Sequence, residues 1–508
     1  MALAPDPLAP DAPASEGDTG TTLQKGRLGT IGIVFFVVAA AAPLVGMTGA
    51  VPVAIVLGNG AAAPGAYLAV GITLLLFSVG YAAMSQRVTN AGAFFAYIGR
   101  GLGRHAGIAS AFVSILAYVA VQLAVYGFFG AVMAGQVGVL PWWAWTLISW
   151  ALVTVLSLLR VDIGARVLGV LMLLELTALV VTSVVILANG GPEGVDIWAS
   201  FNPAAIVAGG LAGSAGIAFA FAFASFIGFE ATAIYGEESR NPKKVVPRAT
   251  YLAVIVITVL FSLTAFAMVT GMGASKVVER TAELSTIGTV PLAAPAEVLF
   301  SLATQYVGPW MATVMSILVL SSLFAGLLAF QNAASRYLFA MGRGGVLPAR
   351  LGTVNGRGAP AAASVVTSVI TGIIIVAFAV FRLDPVLNLF YWFSGLSVVA
   401  IVLIEILVCI AIMVYFRRNR GEENVFQRSI APILATVGLV LGEYLLMSRF
   451  GLLAGTVADG VDPTVDSWGL SAIGWVLVLL PFALLGLGYL VSRARTSVNQ
   501  ELLRDVLS

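Results

Sequence analysis

Cysteine and histidine are nearly missing from this chain: Cys409 and His105 are the single examples in 508 residues. With one cysteine an intrachain disulfide is impossible, and its position in an apolar run gives no sharp signal of redox compartment. A zinc site of Cys and His ligands, or a Cys/His nucleophilic dyad, is excluded by arithmetic. His105 stands beside Arg104 in a loop, where a solvated surface residue is expected. Charge is scarce as well. Asp, Glu, Lys and Arg make up 10% of the residues, against roughly 25% in soluble domains. A soluble multidomain chain is therefore ruled out. The net charge of +2 gives no reason to expect a nucleic-acid partner. The run Gly99-Arg100-Gly101-Leu102-Gly103-Arg104 follows no strand, so it is not a phosphate loop. No constellation points to an enzyme, a cofactor or a metal.

What is present is apolar surface. Hydrophobic residues make up 60% of the chain, and runs of about 20 recur twelve times, the length a helix needs to cross a bilayer. The predicted spans are 30–57, 64–85, 106–136, 141–159, 163–188, 209–236, 248–270, 307–341, 359–381, 386–416, 429–449 and 469–492. Glycine, at 55 residues, suits closely packed membrane helices. The fold class is thus all-α and polytopic, embedded in the lipid bilayer. Basic residues fix the orientation. With the N-terminus inside, only Lys276, Arg280, Arg382 and Arg449 fall outside, and the other 22 of 26 fall inside. Every alternate loop obeys the bias, which predicts a cytoplasmic-membrane protein with both termini cytoplasmic. Residues 1–27 are expected to form a disordered tail rather than a cleaved signal peptide, and 493–508 a short cytoplasmic tail.

Two of the apolar runs are broken. The first is interrupted by Pro43-Leu44-Val45-Gly46-Met47-Thr48-Gly49 and again at Pro52. The sixth is interrupted at Ile227-Gly228-Phe229, with Glu230 straight after, and leaves through Glu237-Glu238 into a basic loop holding Asn241-Pro242 and Pro247. Each opens a group of five helices. Breaks at matching positions of two halves point to a binding site near the bilayer midplane. Half-helix N-termini offer free N–H groups and a positive dipole end to a carboxylate, and exposed carbonyls suit an ammonium or a metal cation. Kinks from ordinary helix packing are the plainer alternative.

Four motifs carry a resemblance. They are Gly46-Met47-Thr48-Gly49 in the broken first run, Asn90-Ala91-Gly92-Ala93-Phe94-Phe95-Ala96-Tyr97-Ile98, the stretch from Phe226 to Pro247, and Ala334-Ser335-Arg336-Tyr337-Leu338-Phe339-Ala340-Met341-Gly342-Arg343 with Leu347-Pro348 behind it. In this order and topology the chain resembles the amino acid–polyamine–organocation superfamily of permeases. The resemblance implies a five-plus-five inverted repeat of the leucine-transporter type with broken helices one and six. The transport core would cover 28–417, with repeats 28–190 and 205–417, and two peripheral helices would follow at 428–492. It further implies a small-molecule substrate, an amino acid or amine, and a coupling proton. Exchange of amines, sodium symport or a potassium importer on the same fold stand as alternatives.

The candidate site residues follow. Gly46, Met47, Thr48 and Gly49 would hold a substrate carboxylate, while Phe226, Ile227, Gly228 and Glu230 would hold the amino end. Glu230, Glu175, Glu405 and Glu443 lie in apolar runs, where an ionised acid costs roughly 2.5–3.5 kcal/mol. Glu230 either lines the substrate path, pairing with a cation or cycling a proton, or accepts the freed N–H groups and holds the break open. Glu175 departs from the resemblance. Several proton-coupled relatives carry a lysine near this place, in the fifth helix opened here by Arg166, where its ammonium stands in for sodium. A glutamate cannot do that; it would carry a proton, help to bind a cation, or bond a neighbouring helix. Ser321 and Ser322 are hydroxyls of the type that ligates sodium in sodium-driven relatives, or they bond back to their own helix. Structural roles are expected for Glu405 and Glu443. Phe223 and Phe226 would act as a gate. Tyr118, Gln122 and Tyr126, spaced four apart, share a helix face, with Tyr118 and Gln122 offered to the ligand. Glu237 and Glu238 are expected to pair with Arg240, Lys243, Lys244 and Arg336 at an inner gate.

Overall fold

The computed structural model describes residues 28–88, 93–159, 161–286, 292, 294–421 and 423–494, with the backbone alone at 93 and 161–168. The tails at 1–27 and 495–508, residues 90–92 of the Asn90–Ile98 motif and the Arg166 side chain lie outside the described residues.

All twelve apolar runs form helices. The first segment comprises Thr30–Ala41 and Pro43–Val53, and passes through a π-helical stretch, Ala54–Asn59, and a 3-10 turn, Gly60–Ala62, into the second, Ala63–Ser85. The third is Arg104–Val137, the fourth Trp142–Leu158, the fifth Val161–Asn189. The sixth comprises Ser214–Ser225 and a 3-10 stretch Phe229–Tyr235, and the seventh is Pro242–Met272. The eighth to twelfth are Pro309–Arg343, Ala361–Val380, Pro385–Arg418, Phe426–Ser448 and Ala472–Ala494. No strand occurs among the described residues, whose only β pairings are two isolated bridges. The third segment lies at the centre, packed against the fourth, eighth, tenth and twelfth, while the seventh lies along the second.

Three details differ from the expectations. The first segment breaks at Ala42, which sits in left-handed geometry at φ 42°, and the stretch 43–49 is helical rather than a turn. The cause is Pro43. Its ring disfavours right-handed geometry in the residue before it, yet its fixed φ opens the next helix well. Second, Asn241-Pro242 through Pro247 is not a loop. Pro242 stands at the start of the seventh segment and Pro247 is inside it. Third, short helices Val277–Ser285 and Ala296–Tyr306 stand between the seventh and eighth segments. His105 is also less solvated than expected, with Nδ1 2.6 Å from Ser492 Oγ of the twelfth segment. In the loop after the fifth segment, Glu193 accepts from the Ser275 N–H at 3.0 Å and from its hydroxyl, which together hold its carboxyl below the usual range.

Candidate functional site

The two breaks touch. Gly228 has φ 111°, open to glycine and costly for other residues, and a Cβ there would lie 2.9 Å from the Ala40 carbonyl carbon and the Ala41 nitrogen. The close approach brings the start of one half-helix beside the end of another, deep in the molecule.

Glu230 sits at this crossing, fully buried. Its Oε2 accepts from the Gly228 N–H at 2.8 Å and its Oε1 from the Tyr118 hydroxyl at 3.0 Å. Tyr81 of the second segment donates to the Glu230 carbonyl at 2.8 Å. Tyr118 in turn stacks on Tyr337 of the eighth segment, ring centroids 5.5 Å apart. The third and sixth segments thus bond the carboxylate, and the second holds its backbone. Sequence does not single out Tyr81 or Tyr337. Each is an aromatic in an apolar run, with no local signal that separates it from core.

Glu175 forms a second knot. Its Oε1 accepts from the Leu44 N–H at 2.7 Å and from the Ser322 hydroxyl at 3.0 Å, joining the first, fifth and eighth segments. The carboxylate therefore caps the half-helix that begins at Pro43. Ser321 donates instead to the Leu318 carbonyl of its own helix at 2.9 Å. A cleft of about 100 Å³ lies between the same three segments, lined by residues including Phe35, Met172 and Ala329. Its lining residues Met172 and Ala325 lie three positions from Glu175 and Ser322 on the same helices.

The Gly46–Gly49 stretch is split by its helical form. Met47 and Thr48 are buried, with Thr48 donating to the Leu44 carbonyl at 2.7 Å. Gly46 and Gly49 share the opposite face. Gly46 packs on Ser225, and no atom stands within 4 Å of where a Gly49 Cβ would be.

Of the face expected on the third segment, Tyr118 alone reaches a break. Gln122 donates to Gln331 Oε1 at 2.7 Å and reaches Tyr126 at 3.4 Å, while Gln331 donates to the Ser364 carbonyl and the Ser368 hydroxyl of the ninth segment. Phe223, Phe226 and Ile227 turn another way. They line a gap of about 10 Å³ with Phe229 and, from the tenth segment, Glu405. Phe226 meets Phe261 edge-on at 5.2 Å, and the Phe223 ring lies against Gly442 of the eleventh. Glu405 Oε1 and both oxygens of the buried Glu443 have no hydrogen-bond partner among the described residues.

At the charged end of the helices, Arg336 reaches Glu238 at 2.7 Å and lies 4.9 Å from the Tyr235 ring centroid. Arg343 pairs with Glu237. The backbone of Leu28 exchanges bonds with this exit, its N–H donating to the Glu238 carbonyl at 3.1 Å and its carbonyl accepting from Arg240 at 3.0 Å. Arg343, within the motif noted at the end of the eighth segment, is the partner that spacing does not single out.

This arrangement gathers buried carboxylates at the two breaks and ion pairs at one end of the helices. Similarity to known proteins agrees with it. The family profile described as "Amino acid permease" matches residues 32–497. Over 224 residues the chain is 29% identical to a branched-chain amino acid permease, BcaP, of Lactococcus lactis subsp. cremoris, covering 43% of this chain and 42% of that protein. It is 26% identical to an L-lysine transport protein of Corynebacterium glutamicum over 30% of this chain and 28% of that one. The chain is thus aligned with less than half the length of these relatives. A solved manganese transporter of Eremococcus coleocola superposes with a TM-score of 0.53 at 15% identity, over 94% of this chain and 99% of that one. At that identity the likeness is one of fold.

Proposed function

The chain belongs to the amino acid permease family, and on that premise we propose that it is a secondary-active carrier for a small amino acid or an organic amine. It would work across the cytoplasmic membrane by alternating access, coupled to protons. The observation that carries this reading is Glu230, a fully buried carboxyl at the crossing of two broken helices, fixed by an N–H and a phenol. An ionised carboxylate at such depth needs a partner charge. A ligand ammonium supplies one. Both ligand names among the relatives, branched-chain amino acid and L-lysine, denote molecules with an ammonium group.

Two carboxylates allow ligand and proton to load together. Glu230 meets the ammonium, and Glu175, three positions along the fifth segment from the cleft-lining Met172, carries the proton. Sodium fits the second knot less well. There the Leu44 N–H and the Ser322 hydroxyl donate to Glu175, and the Ser321 hydroxyl is turned to its own helix. The basic-residue bias makes the end holding Leu28, Arg336 and Arg343 cytoplasmic, with both termini on that side. The transport core is 28–417, built of repeats 28–190 and 205–417, with the pair at 428–492 peripheral.

The test is uptake of labelled amino acids and amines into proteoliposomes under an imposed pH gradient, with sodium and potassium gradients and counterflow as further arms. Glu230→Gln should abolish pH-driven uptake while the protein still folds. Full pH-driven uptake by that variant would sink the role given to Glu230. Uptake only under a sodium gradient, or of potassium alone, would replace the proton reading.

A further inference from the structure

At the end of the helices that bears Arg336 and Arg343, the stretch 344–360 leads from the eighth segment into the ninth. Between Glu297 and Asp384 the sequence holds no acid, so Arg350 and Arg357 in this stretch have no local counter-charge. Arg357 is exposed and makes no ion pair among the described residues. Asn355 fixes its backbone. The Asn355 Oδ1 accepts from the Arg357 and Ala359 N–H groups at 3.0 Å each, and Nδ2 donates to the Leu158 carbonyl at 3.2 Å. The loop is thereby tied to the end of the fourth segment. Further along, Trp150 Nε1 donates to the Ser368 carbonyl at 2.8 Å, and the Thr154 hydroxyl meets that of Ser368 at 2.9 Å. Between the fourth and ninth segments lies an open groove of about 750 Å³. Asn355 and Arg357 are its polar lining, and Leu158, Ala361, Ala362 and Val365 its apolar one.

We propose that this groove binds an anionic phospholipid, with the Arg357 guanidinium on the headgroup phosphate and one acyl chain along the ninth segment. A guanidinium matches phosphate oxygens two at a time, so a single arginine can seat the headgroup. The apolar lining continues beyond the groove. Val365, Val369, Ile373 and Val376 are exposed on one face of a helix long and apolar enough to cross a membrane, as their spacing requires. By helical rise this ridge runs about 16 Å, close to half of a bilayer's ~30 Å hydrocarbon core. It therefore suits a chain confined to one leaflet. A zwitterionic headgroup brings its own cation beside Arg357 and gains less there, so headgroup charge sets the preference. A soluble phosphate leaves the apolar ridge uncovered.

The experiment is native mass spectrometry of the purified full chain, delipidated in a non-ionic detergent. It is titrated with phosphatidylglycerol and with phosphatidylcholine of identical acyl chains. Phosphatidylglycerol should bind about fivefold tighter, the contribution of one basic residue. Arg357→Gln should bring it down to the level of phosphatidylcholine. Arg350→Gln, at an exposed arginine of the same loop that does not line the groove, should leave the ratio unchanged. Ala362→Trp fills the groove and should weaken both lipids. Equal binding of the two lipids by the unaltered protein overturns the proposal, and needs no variant to fold. Equal loss in the two arginine variants overturns it too, since attraction would then belong to the surface at large. Glycerol phosphate competing as well as whole lipid would make this a soluble-anion site instead. A dimer dissolved by Ala362→Trp would make the groove a contact between two copies, and either of these results also overturns the lipid.

Discussion

Donors sort the four buried glutamates. Glu230 and Glu175 each accept from a backbone N–H and a hydroxyl. Glu443 has no partner at either oxygen among the described residues. A buried polar group left unpaired costs about 1–3 kcal/mol, so Glu443→Leu should raise stability by about that amount in denaturant or thermal unfolding of detergent-solubilised protein. A fall in stability would show that Glu443 is held by something its neighbours do not supply. Sequence places all four acids in apolar runs and separates Glu230 alone, by its distance from the break. The rest of the ranking is illegible there. Tyr118 and Glu230 are 112 positions apart, Leu44 and Glu175 131, and no local spacing encodes such pairings. The shared face of Tyr118 and Gln122 is legible. Which of the two meets the sixth segment depends on how deep the third segment sits, which spacing does not carry.

At the level of elements, the two breaks have different causes. The first is set by proline, the sixth by a position that only glycine fits. Gly228→Ala would combine left-handed geometry, worth about 1–2 kcal/mol, with a Cβ at 2.9 Å from the first segment's backbone. Uptake should fall more than tenfold and the melting temperature should drop. Gly46→Ala is the control, because its nearest neighbour stands at an ordinary 3.6 Å and the fold should tolerate it. The sixth break is readable to the residue, since a glycine followed by a carboxylate at membrane depth is costly unless both face a protein-lined cavity. The first reads too late in the chain. Gly46 and Gly49 look like breakers, yet the stretch stays helical with Met47 and Thr48 buried between them, and tertiary contacts override weak propensities.

Over the whole molecule, closure at one end depends on few contacts. Two ion pairs and the Leu28 backbone join the first, sixth and eighth segments beneath the apolar cleft. Arg336 is 2% exposed, and removing one partner of a buried pair costs about 3–5 kcal/mol. Glu238→Gln should therefore favour the state open on this side. A cysteine at Ala329, in a Cys409→Ala background, would report it as at least tenfold faster labelling by a membrane-impermeant thiol reagent added on the side that bears Arg336 and Arg343; unchanged labelling would argue against a latch. The twelve spans are legible because length and apolarity suffice for them. The helices at 277–285 and 296–306 are not, being short and partly polar. The bridge between Leu28 and Ser239 has a practical side. Cargo attached upstream of Leu28 hangs on the half-helix that must swing, so a fluorescent or affinity fusion there becomes a mechanical burden on opening. The same cargo beyond Ala494 hangs on the twelfth segment, which packs on the third and tenth. Rates measured with the two placements should differ, the fusion upstream of Leu28 being the slower.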